Sequence, residues 1–180
     1  MVTAYFCSET WMRNRTPLNA NVDVALIVPF LGVAQELHIQ PILGTALYER
    51  LMAGVTAGNL TPDETSLVEL VRPALAYYTL SVAIPFVATQ IRNSGIVKTK
   101  SDTVETASKA EVDALSVATA NMADFYAQRV TKYLCSNSSS FPLYSTSDDM
   151  VPERSTNYSG GFYFPDDSCH CDLGFCSCGR

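Results

Sequence analysis

The chain has 180 residues, 47% of them hydrophobic, and a formal net charge of −6. That is enough for one domain with a real core, alone or with an appendage, and it excludes wholesale disorder. No strongly basic stretch offers a nucleic-acid clamp. Met1–Thr16 has no positive segment leading into an apolar run, so no secretory signal is read and folding in a cytoplasm is expected.

Charge and composition break together near residue 136. Residues 1–136 carry 10 Lys and Arg against 12 Asp and Glu. Residues 137–180 carry 2 against 6, and they hold four of the six cysteines. The expected organisation is a helical body over 1–136, with an N-terminal arm at 1–20, and an extended acidic, aromatic- and Cys-rich tail over 137–180.

Residues 1–20 read as irregular. Trp11, the sole tryptophan, sits beside Met12, Arg13 and Arg15. Two readings stand: a Trp packed on the bundle, or an arm that grips a neighbouring subunit. A first helix is expected from Asn19 or Asn21, with Ile27, Phe30, Leu31, Ala34 and Leu37 on its apolar face and a bend at Pro29. His38 has only Glu36 near it at a ligand-like spacing and reads as structural. Pro41 is expected to restart the chain. Leu43, Leu47 and Leu51 then step by four, and Gly54 and Gly58 mark the end of that helix. Gly44 costs helix stability, so it is expected to allow a close helix–helix approach.

The stretch from Thr61 to Gly95 organises the rest. Thr61, Pro62 and Glu64 form a helix-start signature with a capping box. Arg92 and Gly95 read as its end. Between Arg72 and Arg92 lie 19 uncharged residues, long enough to span a bilayer. Two tyrosines, two threonines, Ser81, Gln90 and a mid-run Pro85 favour a soluble bundle's central helix, kinked or broken near Pro73 and Pro85, and no membrane partner is expected. Residues 96–105 are polar and β-tolerant, either a loop or a hairpin that adds to something outside the domain. Ser108 and Glu111 form a second capping box. The helix behind it should run to about Leu134, with Val112, Leu115, Ala118, Met122, Phe125, Tyr126, Val130, Tyr133 and Leu134 as one stripe. At 1.5 Å per residue it would be roughly 40 Å long, enough to cross the bundle and meet a neighbour. The expected fold is therefore all-α: a bundle of about four to five helices with a long C-terminal helix, an extended loop or hairpin at about 96–105, and an irregular Cys-rich tail.

The strongest chemical signal is Cys169, Cys171, Cys176 and Cys178, with Gly174 allowing the chain to reverse between the two pairs. Four thiols so close can close a tetrahedral site, and a structural zinc is the cofactor they suggest. Disulfides and unligated thiols remain open alternatives, because the paired Cys-x-Cys spacing is tighter than the usual zinc spacing. Cys7 and Cys135 read as ordinary buried or half-buried cysteines. No nucleophile elbow, metalloprotease helix or phosphate-binding loop occurs, so no catalytic or cofactor-binding residue is assigned and the protein is read as a non-enzyme. Asp148-Asp149 and Asp166-Asp167 read as solvated charge.

Three segments resemble a known family when taken in order. They are Ile39-Gln40-Pro41-Ile42-Leu43-Gly44-Thr45-Ala46-Leu47-Tyr48; Arg72-Pro73-Ala74-Leu75-Ala76-Tyr77 leading to Asn93-Ser94-Gly95-Ile96; and Phe125-Tyr126 through Tyr133-Leu134 to Phe141-Pro142-Leu143-Tyr144. This order resembles the head–tail connector (adaptor or neck ring) proteins of tailed bacteriophages, in particular those of Bacteroidetes and the crAss-like group, over about residues 8–145. The resemblance implies a structural virion protein made in the host cytoplasm. It implies a homo-oligomeric ring, usually twelvefold, that binds the portal protein and further neck or tail proteins. DNA would pass through its channel without sequence-specific binding. The modest negative charge suits such a channel, since a basic lining would hold phosphate. The cysteine cluster lies outside the resemblance. It supports a separate alternative, a metal-binding protein–protein interaction module on a helical scaffold.

Overall fold

The computed structural model describes residues 5–18, 26–92, 95–98, 107–145 and 152. The protein is an all-α helical bundle with, among the described residues, one small two-stranded pairing. In chain order the elements are α1 (Glu9–Arg15), α2 (Val28–Ala34), a π turn (Gln35–Ile39), α3 (Gln40–Leu43), α4 (Thr45–Ala57), α5 (Pro62–Ala88), β1 (Thr89–Arg92), β2 (Gly95–Lys98), α6 (Lys109–Ser136) and a 3-10 turn (Pro142–Ser145).

The N-terminal segment is less irregular than expected. Ser8 caps α1 by accepting from the Trp11 N–H, and Phe6, Cys7 and Met12 are buried. Phe6 is held at both backbone atoms. Its N–H donates to Gln35 Oε1 at 3.1 Å, and its carbonyl accepts from Arg72 Nε at 2.9 Å. Trp11 packs against this same core. Gln35, fully buried, also donates through Nε2 to the Tyr48 hydroxyl at 3.0 Å, so its amide meets partners on both sides.

Pro29 lies in the first turn of α2, where its missing N–H costs nothing. The expected start near Asn19 or Asn21 lies outside the described residues. Helix α2 runs straight into the π turn and α3, so Pro41 does not restart the chain. The Gln40 N–H instead reaches back five residues to the Gln35 carbonyl. The widened turn lies directly before Pro41, whose ring would otherwise strike the carbonyl four residues back. The extra residue also shifts the register. Ile27, Leu31, Ala34, Gln35, Ile39 and Leu43 face inward, and Leu37, expected on the apolar face, is 59% exposed.

Gly44 separates α3 from α4 at φ 77°, ψ 155°. This corrects the close-approach reading: the backbone there needs a conformation open essentially to Gly alone. Gly44→Ala should lower stability by about 1–2 kcal/mol in urea unfolding. An unchanged midpoint would show that the joint relaxes freely. Close approach does occur at Gly54, where a Cβ would run into the Leu60 side chain. Leu43, Leu47 and Leu51 are all buried, as their spacing requires.

Helix α5 starts with the expected capping box, and Arg50 pairs with the same Glu64 carboxylate at 3.0 Å. Its most apolar window is long enough to cross a membrane, and 50% of that window is buried inside the bundle. Pro73 and Pro85 both lie within the helix. The helix ends at Ala88, not at Gly95. Thr89 donates its N–H and its hydroxyl to the Pro85 carbonyl and turns the chain into β1. β1 and β2 pair antiparallel, Ile91 opposite Ile96 and Arg92 opposite Gly95. The paired segments, 89–92 and 95–98, thus begin ahead of the expected 96–105 stretch, of which residues 99–105 lie outside the described residues.

Helix α6 starts with the Ser108–Glu111 capping box and packs along α5 in the most extensive helix–helix contact of the fold. Its inward face is Thr119, Ala123, Ala127, Val130 and Leu134. Small side chains there let the two backbones approach. The core also extends past residue 136: Phe141 and Tyr144 are buried beyond the end of α6.

Candidate interaction surfaces

The outward surface of α6 is the first unusual feature. Leu115, Met122 and Phe125, expected to point inward, are 49–59% exposed. They lie about a third of a turn around the helix from the buried face at 3.6 residues per turn. Tyr77 of α5 stacks on Tyr126 beside them, with ring centroids 5.8 Å apart. Together with Ala118 and Asn121 these side chains line an open hollow.

A second apolar surface runs along α2 and the residues just before and after it. Leu26, Phe30, Val33 and Leu37 follow one another at four-, three- and four-residue steps, and only Phe30 among them is half-buried. Phe86 of α5 extends this stripe through its ring contact with Phe30 at 5.1 Å. Tyr77 and Phe86 are nine residues apart, so the helical pitch sends them to opposite sides of α5. Between the two stripes runs an apolar groove of about 360 Å³, lined by Leu18, Ile27, Leu80, Ile84, Val87 and Leu115 among others. Exposed large side chains in such contiguous stripes mark contact surfaces.

His38 sits on the π turn. Its ring stacks on Tyr78 at 4.0 Å, and the Tyr78 hydroxyl donates to Asp124 Oδ1 at 2.6 Å. Burial lowers the His38 pKa against the weaker opposing pull of Asp124. Burial and the Asp124 bond both raise that of Tyr78. The group joins the π turn, α5 and α6 with a neutral imidazole and a protonated phenol, consistent with the structural reading of His38. The depressed imidazole pKa makes protonation unfavourable in the fold. Its penalty is absent above pH 6.5, the ordinary His value, and grows as pH falls below it. The urea midpoint should therefore fall between pH 7 and pH 5.5, and His38→Asn should flatten that fall. An equal slope in both proteins would remove His38 as its source.

Burial pushes the Cys7 thiol up to about 12, which keeps it unreactive. Among the described residues no group of three or more His, Cys, Asp or Glu is placed to hold a metal ion. The expected ligands Cys169, Cys171, Cys176 and Cys178 lie outside the described residues, as do both Asp pairs. Sequence reasoning missed the outward turn of the α6 stripe. Its signal was present in the small residues Ala123 and Ala127, which mark the tighter of two candidate faces.

A family model matches residues 39–154. The chain belongs to the DUF6712 family, a family of unknown function. No curated protein and no solved structure matches it. The DUF6712 match starts at the end of the π turn and takes in α3 to α6, the hairpin and the buried Phe141 and Tyr144. The α6 stripe thus falls within the DUF6712 region, and α1 and α2 fall before it.

Proposed function

We propose that the protein is a structural subunit of a tailed-phage head–tail connector. It assembles as a ring that joins the portal to the neck or tail and leaves a channel for DNA. The observation that carries this reading is the pair of exposed apolar stripes reaching opposite sides of α5. A ring needs two different faces on each subunit, joined head to tail. The ordered motifs at residues 39–48, 72–96 and 125–144 support the connector identity, and the all-α body agrees with it.

Native mass spectrometry of the purified protein, alone and with the portal protein of the same particle, tests the proposal. A ring-sized assembly in either sample is expected. Chains that stay small and ignore the portal would end the connector reading. The same spectrum tests the separate proposal of a structural zinc at Cys169, Cys171, Cys176 and Cys178: an excess of one zinc per chain supports it, and the bare chain mass overturns it.

A further inference from the structure

The outward residues of α6 form a regular seam. Glu111, Leu115, Ala118, Met122, Phe125 and Arg129 follow at steps of 4, 3, 4, 3 and 4. Such spacing keeps one edge of a helix facing a partner helix. The seam is apolar in the middle, acidic at its N-terminal end and basic at its C-terminal end. It is also symmetric about Ala120. Turned end for end against itself, it sets Ala118 opposite Met122, Leu115 opposite Phe125, and Glu111 opposite Arg129. Each layer then joins unlike partners: small with long, aliphatic with aromatic, acid with base. The flank facing away from the body, Ala114, Asn121 and Gln128, carries no charge to oppose the approach.

We infer that α6 is a self-association helix, through which two copies of the chain pair antiparallel about a two-fold axis at Ala120. The hollow beside Ala118 receives the partner copy's Met122. The alternative occupant, the α2 stripe of another copy, offers four apolar side chains with no matching polarity to set a direction. The inference does not rest on the connector reading. An isologous pair closes at two copies, so a ring that uses this face forms only after the pair opens. The seam spans roughly 27 Å at 1.5 Å per residue, which places the pair among the small interfaces.

Sedimentation equilibrium of the full chain in reductant, over roughly 5–200 µM, tests this. A monomer–dimer equilibrium is expected. Phe125→Ser should weaken it about 100-fold, since a central aromatic anchor is lost. Arg129→Glu sets like charges at both ends and should weaken it about tenfold, as should Glu111→Lys. Mixing those two variants restores opposite charges at both ends, so a heterodimer of near wild-type strength should form. A wild-type monomer over the whole range would overturn the proposal. So would a dimer indifferent to Phe125→Ser, or a mixture that is not rescued, the result expected of a head-to-tail contact with α2. Glu111→Lys also removes a cap, so circular dichroism accompanies it. If that variant loses helix, the responses to Phe125→Ser and Arg129→Glu decide.

Discussion

Leu75→Ala is expected to lower the unfolding free energy by about 2–5 kcal/mol, the largest single effect anticipated in this chain. Leu75 is fully buried at the middle of α5, within the cluster that joins α2, α4, α5 and α6. Cutting it to alanine removes its buried methyl groups and leaves a void. The surrounding close-packed side chains relax only partially, so the void does not close fully. Urea unfolding should show a lower midpoint with an unchanged slope. A shift below about 1 kcal/mol would mean that the centre of α5 is loosely packed, contrary to its burial.

Two substitutions on adjacent α6 residues should part company. Ala123 is fully buried against α5, and a leucine there needs room that two close backbones do not leave. Ala123→Leu should cost about 2–3 kcal/mol through overpacking. Met122, one residue away, is 49% exposed, so Met122→Ser should stay within about 0.5 kcal/mol for the isolated chain. Dilute urea titrations, below the concentration of any self-association, measure both. The reverse order would return Met122 to the core and remove the outward seam.

The parts of the fold legible in the sequence are those written in local chemistry. Thr61 with Glu64 and Ser108 with Glu111 each name a helix start through their own hydrogen bonds, and both starts are where they were read. The Leu43, Leu47 and Leu51 ladder fixes one face of α4 by spacing alone. Other features depend on what lies across the contact. Periodicity along α6 marks two neighbouring stripes, and only the closeness of α5 selects the one with small side chains. Pro41 marks the place of the π turn, but a kink or a restart would answer the same ring clash, so spacing alone does not record the added residue or the outward Leu37. The end of α5 was misread for a similar reason. Arg92 and Gly95 suit a helix terminus, yet Thr89–Arg92 pairs with residues 95–98, a contact that helix-end signals do not record. The candidate surfaces were legible as residues and not as surfaces, because their exposure is a tertiary property.

The double hold on Phe6 bears on the order of events in folding. The α5 and α6 helices are sequential neighbours with their own start signals. Phe6 instead meets Gln35 on the π turn, the Tyr48 ring on α4 and Arg72 on α5, so its contacts form only when those three elements are already together. The N-terminal segment therefore docks onto an existing surface. Interactions absent from the folding transition state govern the unfolding rate alone. Phe6→Ala should accordingly leave the refolding limb of a chevron plot in place and raise the unfolding limb. The N-terminal segment then acts as a kinetic lock on a bundle that assembles without it.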